Sequence, residues 1–130
     1  MGGDMSIGKH VLLVEDELNI IEALRFLLSR EGWHVDTHSD GATAVEAIRT
    51  MRPTLVILDY MLPGKSGLDI LTELRKDPDF ETLPVLMLTA RGQTRDREQA
   101  EKAGVSRFMT KPFSNTEVIT AVRDLVQLSR

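Results

Sequence analysis

The sequence predicts an α/β protein built on a parallel sheet with helices packed on both faces, a three-layer arrangement. Three observations carry this. Five short apolar runs alternate with helical patterns along the chain, the connections are short, and three of the runs are almost continuously hydrophobic, as strands covered on both faces require. At 130 residues the chain has room for one such domain, since domains commonly hold about 100 to 150 residues.

The five runs are His10 to Val14 (HVLLV), His34 to His38 (HVDTH), Leu55 to Leu58 (LVIL), Pro84 to Leu88 (PVLML) and Arg107 to Thr110 (RFMT). The second is the most polar, which suits a sheet edge. Ile20, Ile21, Leu24, Leu27 and Leu28 recur at three and four spacing and predict a first helix that ends at Gly32, while Ala44, Val45, Ile48 and Met51 predict a second before Pro53. Leu68, Leu71 and Leu74 mark a third. The fourth, about Thr94 to Ala103, has few large apolar residues and is expected to be the most exposed. Val118, Val122, Leu125 and Val126 mark the fifth, opened by Ser114 with Glu117 three residues on as a capping box. Residues 1–8 are glycine-rich and lack a signal-peptide core, so they are expected to be a loose start, with the domain spanning 9–130.

Composition narrows the function. With 42% hydrophobic and 28% charged residues the chain can bury a core without staples. A net charge of −4 is a poor electrostatic footprint for nucleic acid, so no direct nucleic-acid partner is expected. The absence of cysteine excludes disulfides, thiol catalysis and Cys-based zinc sites. The longest uncharged apolar-leaning stretch, Leu83 to Ala90, is far short of the roughly 18 residues of a spanning helix, so no membrane partner and a cytoplasmic location are expected.

Ligands of parallel α/β sheets bind at the carboxyl ends of the strands. There the chain carries Glu15-Asp16-Glu17, Asp59, Thr89 and Lys111-Pro112. Taken singly each has an ordinary explanation: an acidic run favours a helix N-terminus, and a lone lysine is usually solvated. Asp59 fits that treatment poorly, because it stands between LVIL and the pair Tyr60 and Met61. Carboxylates crowded into one cleft either take up a proton or require a cation, and hard oxygen donors favour Mg²⁺ together with phosphate oxygens. An aspartate can attack phosphorus, with the remaining work being positioning and charge neutralisation.

The motifs VLLVED, VILDYMLPGKSGLDIL, VLMLTARG and FMTKPF, in this order and spacing, resemble the receiver domain of bacterial two-component response regulators over residues 9 to 128. The resemblance implies a flavodoxin-like doubly wound fold with sheet order 2-1-3-4-5. It implies that Asp59 accepts a phosphoryl group from a sensor histidine kinase, a histidine phosphotransfer domain or a small acyl phosphate. Asp16, Asp59 and the backbone carbonyl of Met61 would bind Mg²⁺, or Mn²⁺ in its place, with Glu15 acting through water. Lys111 would pair with Asp59 and then with the phosphoryl oxygen, aimed by a cis peptide before Pro112. Thr89 and Phe108 would form a switch that alters the surface of the fourth helix, fifth strand and fifth helix for a downstream protein partner. Met61 and Arg91, by their bulk, would slow hydrolysis of the phosphoryl group.

The chain also departs from the pattern. Glu15 replaces a common aspartate, and Phe108 a common tyrosine, leaving packing rather than a hydroxyl to carry the switch. Val105, Ser106, Arg107 and Ala121 lack the charges with which receivers attached to winged-helix domains pair, so a monomer or a phosphorylation-dependent dimer of another kind is expected. An aspartate-nucleophile phosphatase of the haloacid dehalogenase type would need a second aspartate where Met61 stands, and an FMN carrier would not place three acids in its phosphate loop. A receiver that binds partners without phosphorylation is the remaining alternative. His10, His34 and His38 share no metal-ligand spacing and are expected to be structural.

Overall fold

The computed structural model describes residues 9–90 and 94–128. Their elements run β1 (His10–Val14), α1 (Leu18–Arg30), β2 (His34–His38), α2 (Ala44–Met51), β3 (Leu55–Asp59), α3 (Gly67–Lys76), β4 (Val85–Thr89), α4 (Thr94–Lys102), β5 (Arg107–Thr110) and α5 (Asn115–Leu128). Short 3-10 turns at Gly41–Thr43 and Pro78–Phe80 precede α2 and follow α3. The strands form one parallel sheet in the order β2-β1-β3-β4-β5. This is the flavodoxin-like order expected. β3 reaches one residue further than the apolar run and β4 is shifted by one, so that Asp59 and Thr89 close their strands rather than follow them.

Alternation along each strand divides the core between two layers. Leu12, Val14, Val56, Leu58, Val85 and Met87 pack against α2 and α3, with Ala100 of α4. Val11, Leu13, Leu55, Ile57, Leu86 and Leu88 pack against Leu24 and Leu28 of α1 and Val118, Ala121, Val122 and Leu125 of α5. Both faces are covered, which explains the unbroken hydrophobicity of β1, β3 and β4. Each fully buried leucine or isoleucine here contributes roughly 1.5–3 kcal/mol by leaving water. β2 is an edge strand with none of its five residues fully buried, hence its polar sequence.

Local signals end and start the helices. After α1 the amides of Gly32 and Trp33 bond to the carbonyls of Ser29 and Leu28, and Gly32 takes φ +91°, so this glycine supplies the left-handed residue of a Schellman turn. Ser114 and Glu117 form the reciprocal capping box of α5, at 3.1 and 2.8 Å. In α4 Ala100 is the buried residue, as its polar sequence predicts. The loose start expected of residues 1–8 and the role expected of Arg91 concern positions outside the described residues. Among the described residues no helix is long and apolar enough to cross a membrane.

The order of strands matters for the site. The chain leaves β1 toward β2 at one edge and returns across β1 to β3, so the loops after β1 and β3 diverge and open a crevice at the carboxyl edge. Glu15 and Asp59 sit on its two sides.

Candidate functional site

The acidic run after β1 serves the crevice more than the helix behind it. Glu17 occupies the N-cap of α1 yet makes no side-chain cap bond. Glu15 Oε2 instead accepts the amides of Asp16 and Glu17, at 3.1 and 3.2 Å, which fixes the turn and points Glu15 inward. Glu15 is fully buried and Asp59 is 3% exposed. Carboxylates are rarely left inside without a partner.

The partner is Lys111. Its amide bonds to the Thr89 carbonyl at 2.7 Å, its peptide bond to Pro112 is cis, and its side chain is only 10% exposed. Lys111 Nζ lies 2.8 Å from Glu17 Oε1, 3.1 Å from Glu15 Oε1 and 3.3 Å from Asp59 Oδ2. One ammonium thus faces three carboxylates. Burial alone would lower the Lys111 pKa, but the bond to Glu17 and the charges of Asp59 and Glu15 outweigh it and hold the ammonium above its ordinary range. The Glu15 pKa rises too, which here favours the neutral form. Burial, then the hydrogen bond and charge of Asp59, push it from 4.5 up to about 7.

Asp59 Oδ1 accepts the Met61 amide at 3.3 Å, and Asp59 Oδ2 faces the lysine. The loop beyond is pressed against Asp59: the Gly67 amide bonds to the Tyr60 carbonyl at 2.9 Å, and a Cβ on Gly67 would lie 2.3 Å from the Asp59 carbonyl oxygen. Glycine is required here by that close approach. Thr89 is buried at the end of β4, in register with Thr110. Phe108 is buried against the α3 and α4 side of the sheet, with the Arg97 guanidinium 4.9 Å from its ring centre. Met61 is 57% exposed beside Asp59.

Oxygen donors suited to a hard cation converge here. Glu15, Glu17 and Asp59 each offer a carboxylate oxygen within 4.8 Å of the others, and Glu15 Oε1, fully buried, makes no hydrogen bond of good geometry despite its contact with Lys111. An unsatisfied buried oxygen among carboxylates fits a dication such as Mg²⁺. Asp16, expected as a direct ligand, is exposed and stands outside this tight group, on the neighbouring cleft wall with Thr37, His38 and Ser39. Glu17 completes the group, and its Oε1 also reaches Lys111.

The model of the response regulator receiver domain matches residues 11–123. The chain belongs to this family. Two curated relatives are the Probable transcriptional regulatory protein TcrX of Mycobacterium tuberculosis, 44% identical over 90% of this chain and 49% of its own, and the phosphate regulon transcriptional regulatory protein PhoB of Rhizobium meliloti, 38% identical over 92% and 53%. This receiver domain therefore spans about half the length of the curated relatives it matches. Among solved structures, the Francisella response regulator 1452 receiver domain superposes with a TM-score of 0.86 at 28% identity, covering 94% of this chain and 99% of its own. The receiver domain of the sensor histidine kinase PA1611 from Pseudomonas aeruginosa, with a magnesium ion coordinated in its active site cleft, superposes with a TM-score of 0.84 at 28% identity, covering 92% and 98%. Receiver domains of this family are signalling switches of two-component response regulators.

His38 bonds to Thr43 Oγ1 at 2.8 Å. His10 and His34, which share no metal-ligand spacing in sequence, meet across β1 and β2 and share Asp36. Sequence spacing could not show this, because the meeting depends on strand register.

Proposed function

We propose that the domain is a phosphorylation-activated switch in which Asp59 accepts a phosphoryl group from a histidine kinase or histidine phosphotransfer domain. The observation that carries this reading is the buried Asp59 carboxylate, fixed by the Met61 amide on one oxygen and facing Lys111 with the other. A carboxylate oxygen of Asp59 attacks phosphorus as the N–P bond of phosphohistidine breaks, the electron pair leaves on the imidazole nitrogen, and that nitrogen regains a proton. Mg²⁺, held by Asp16, Asp59 and the Met61 carbonyl with Glu15 acting through water, would neutralise the gathered carboxylates and the phosphoryl oxygens; Mn²⁺ has the same donor preference.

Lys111 is already within reach of Asp59 and binds a phosphoryl oxygen once one is attached. Thr89, buried at the strand end beside it, donates its hydroxyl to another. Phe108 then repacks, and the α4-β5-α5 surface changes for a downstream protein partner. The sparse packing of α4, with Ala100 as its buried residue among those described, makes it the cheapest of the helices to move. The Arg107–Asp124 pair at 3.3 Å joins β5 to α5 within the chain, so these charges are engaged internally and the chain acts as a monomer or as a dimer formed on phosphorylation. The half-exposed Met61, with Arg91, hinders the hydrolytic water, giving slow autodephosphorylation of a protein working in the cytoplasm.

Intact mass after incubation with a small acyl phosphate, with and without Mg²⁺, tests the reading. A Mg²⁺-dependent gain of one phosphoryl group, absent in Asp59→Asn, is expected. No gain in the wild type would leave a receiver that binds partners without phosphorylation.

A further inference from the structure

A second convergence of ligand atoms lies at the opposite end of the sheet from Asp59. β1 and β2 both begin with histidine, and their parallel register pairs His10 with His34. Asp36 stands two residues beyond His34, so strand alternation puts it on the same face. The side chains meet: His10 Nε2 lies 2.7 Å and His34 Nε2 3.3 Å from the same oxygen, Asp36 Oδ2, and the two rings are 5.2 Å apart.

We propose that His10, His34 and Asp36 bind a first-row transition-metal dication of the Zn²⁺ class. Two imidazole nitrogens and one carboxylate oxygen form a borderline donor set that such ions accept and that Mg²⁺ does not favour. All three donor atoms lie within 4.8 Å of one another. Around a tetrahedral Zn²⁺, with bonds of roughly 2.0–2.2 Å, neighbouring donors stand about 3.3 Å apart, so His34 and Asp36 are already at that separation, while His10 has to retreat from Asp36 by about 0.6 Å. The three ligands leave a fourth position for water. The His34 side chain is 66% exposed and that of Asp36 38%, so a hydrated ion has direct access. Because β2 is the edge strand, its side chains can shift without disturbing a neighbour beyond it.

The chemistry separates this site from the phosphoryl cleft. Five steps along strand and turn, roughly 16 Å, separate His10 from Glu15, and the group formed by Glu15, Glu17 and Asp59 offers oxygen donors alone. Hard and borderline cations are thereby sorted to the two ends of one sheet. Binding at His10 and His34 also ties β2 to β1 by their side chains, in addition to the backbone ladder, and so stabilises the edge.

Calorimetric titration with Zn²⁺ in saturating Mg²⁺ tests the proposal, using Asp59→Asn beside the wild type so that uptake in the acidic cleft is recognised. One equivalent of Zn²⁺ binding in the micromolar range is expected in both proteins, with the ring resonances of His10 and His34, and not those of His38, moving in the NMR spectrum. His34→Gln and His10→Gln, each checked for folding by circular dichroism, should weaken binding by about tenfold or more, since losing a ligand costs at least as much as losing its outer hydrogen-bond partner. No uptake at micromolar Zn²⁺ would show that Asp36 merely bridges two imidazoles by hydrogen bonds, and uptake that survives both substitutions would place the ion elsewhere; either result overturns the proposal.

Discussion

Lys111 Nζ is nearer to Glu17 Oε1, at 2.8 Å, than to Asp59 Oδ2, at 3.3 Å. The two anions differ in surroundings: the Glu17 side chain is 58% exposed and that of Asp59 4%. Water screens the first contact, so Glu17→Gln should change stability by less than about 1 kcal/mol. Lys111→Met leaves Glu15 and Asp59 without a cation and should cost about 1–3 kcal/mol at slightly alkaline pH, where Glu15 is ionised. Urea unfolding of the two variants checks the order, and equal losses would refute it.

Glu15 makes the apoprotein sensitive to pH. Its pKa rises on folding from 4.5 to about 7, so between these values the native state holds the proton more tightly than the unfolded chain. Stability from this group is therefore greatest in acid and falls as pH rises through that window. Glu15→Gln removes the ionisation while its amide oxygen still accepts the two backbone amides. The variant should match the wild type near pH 5 and exceed it by about 1–3 kcal/mol near pH 8, measured without divalent ions. Comparing the two proteins cancels the titration of the histidines.

Asp59→Asn relieves the same repulsion from the other side. Its melting temperature without divalent ions should exceed that of the wild type. Mg²⁺ should stabilise the wild type by about 1.4 kcal/mol at ten times its dissociation constant and the variant by much less. Differential scanning calorimetry with and without Mg²⁺ reads both effects, and an equal increment in the two proteins would remove Asp59 from the ligand set.

Gly67 opens α3, where helix propensity alone favours alanine by roughly 1 kcal/mol. The 2.3 Å approach to the Asp59 carbonyl reverses the sign, because the obstacle is backbone and cannot rotate away. Gly67→Ala should destabilise the fold by about 1–3 kcal/mol. It should also displace Asp59, seen as a reduced yield of phosphorylated protein with an acyl phosphate.

Arg97 lies over the Phe108 ring and supplies a contact that needs no phenolic hydroxyl. Arg97→Ala should cost about 0.5–1 kcal/mol and Arg97→Lys less, by urea unfolding. A larger loss from the lysine variant would show that the guanidinium acts through another partner.

Much of this was legible in the chain because its causes are local. Apolar continuity in HVLLV, LVIL and VLML follows from burial on both faces, the Ser114–Glu117 box closes over three residues, and Gly32 permits a backbone angle that residues with a side chain resist. Asp59 and Lys111 were legible for a related reason, since a charge directly after an apolar strand has few places to go. Tertiary structure decided which charges meet. Glu17 reaches Lys111 across 94 residues of sequence, Asp16 beside it is left on the outer wall, and His10 meets His34 and Asp36 only because β2 pairs with β1 in parallel and in one register. A strand's pattern determines which residues share a face, but the partner and the register are set by the packing of the whole sheet, and a shift of one residue would turn His34 and Asp36 together away from His10.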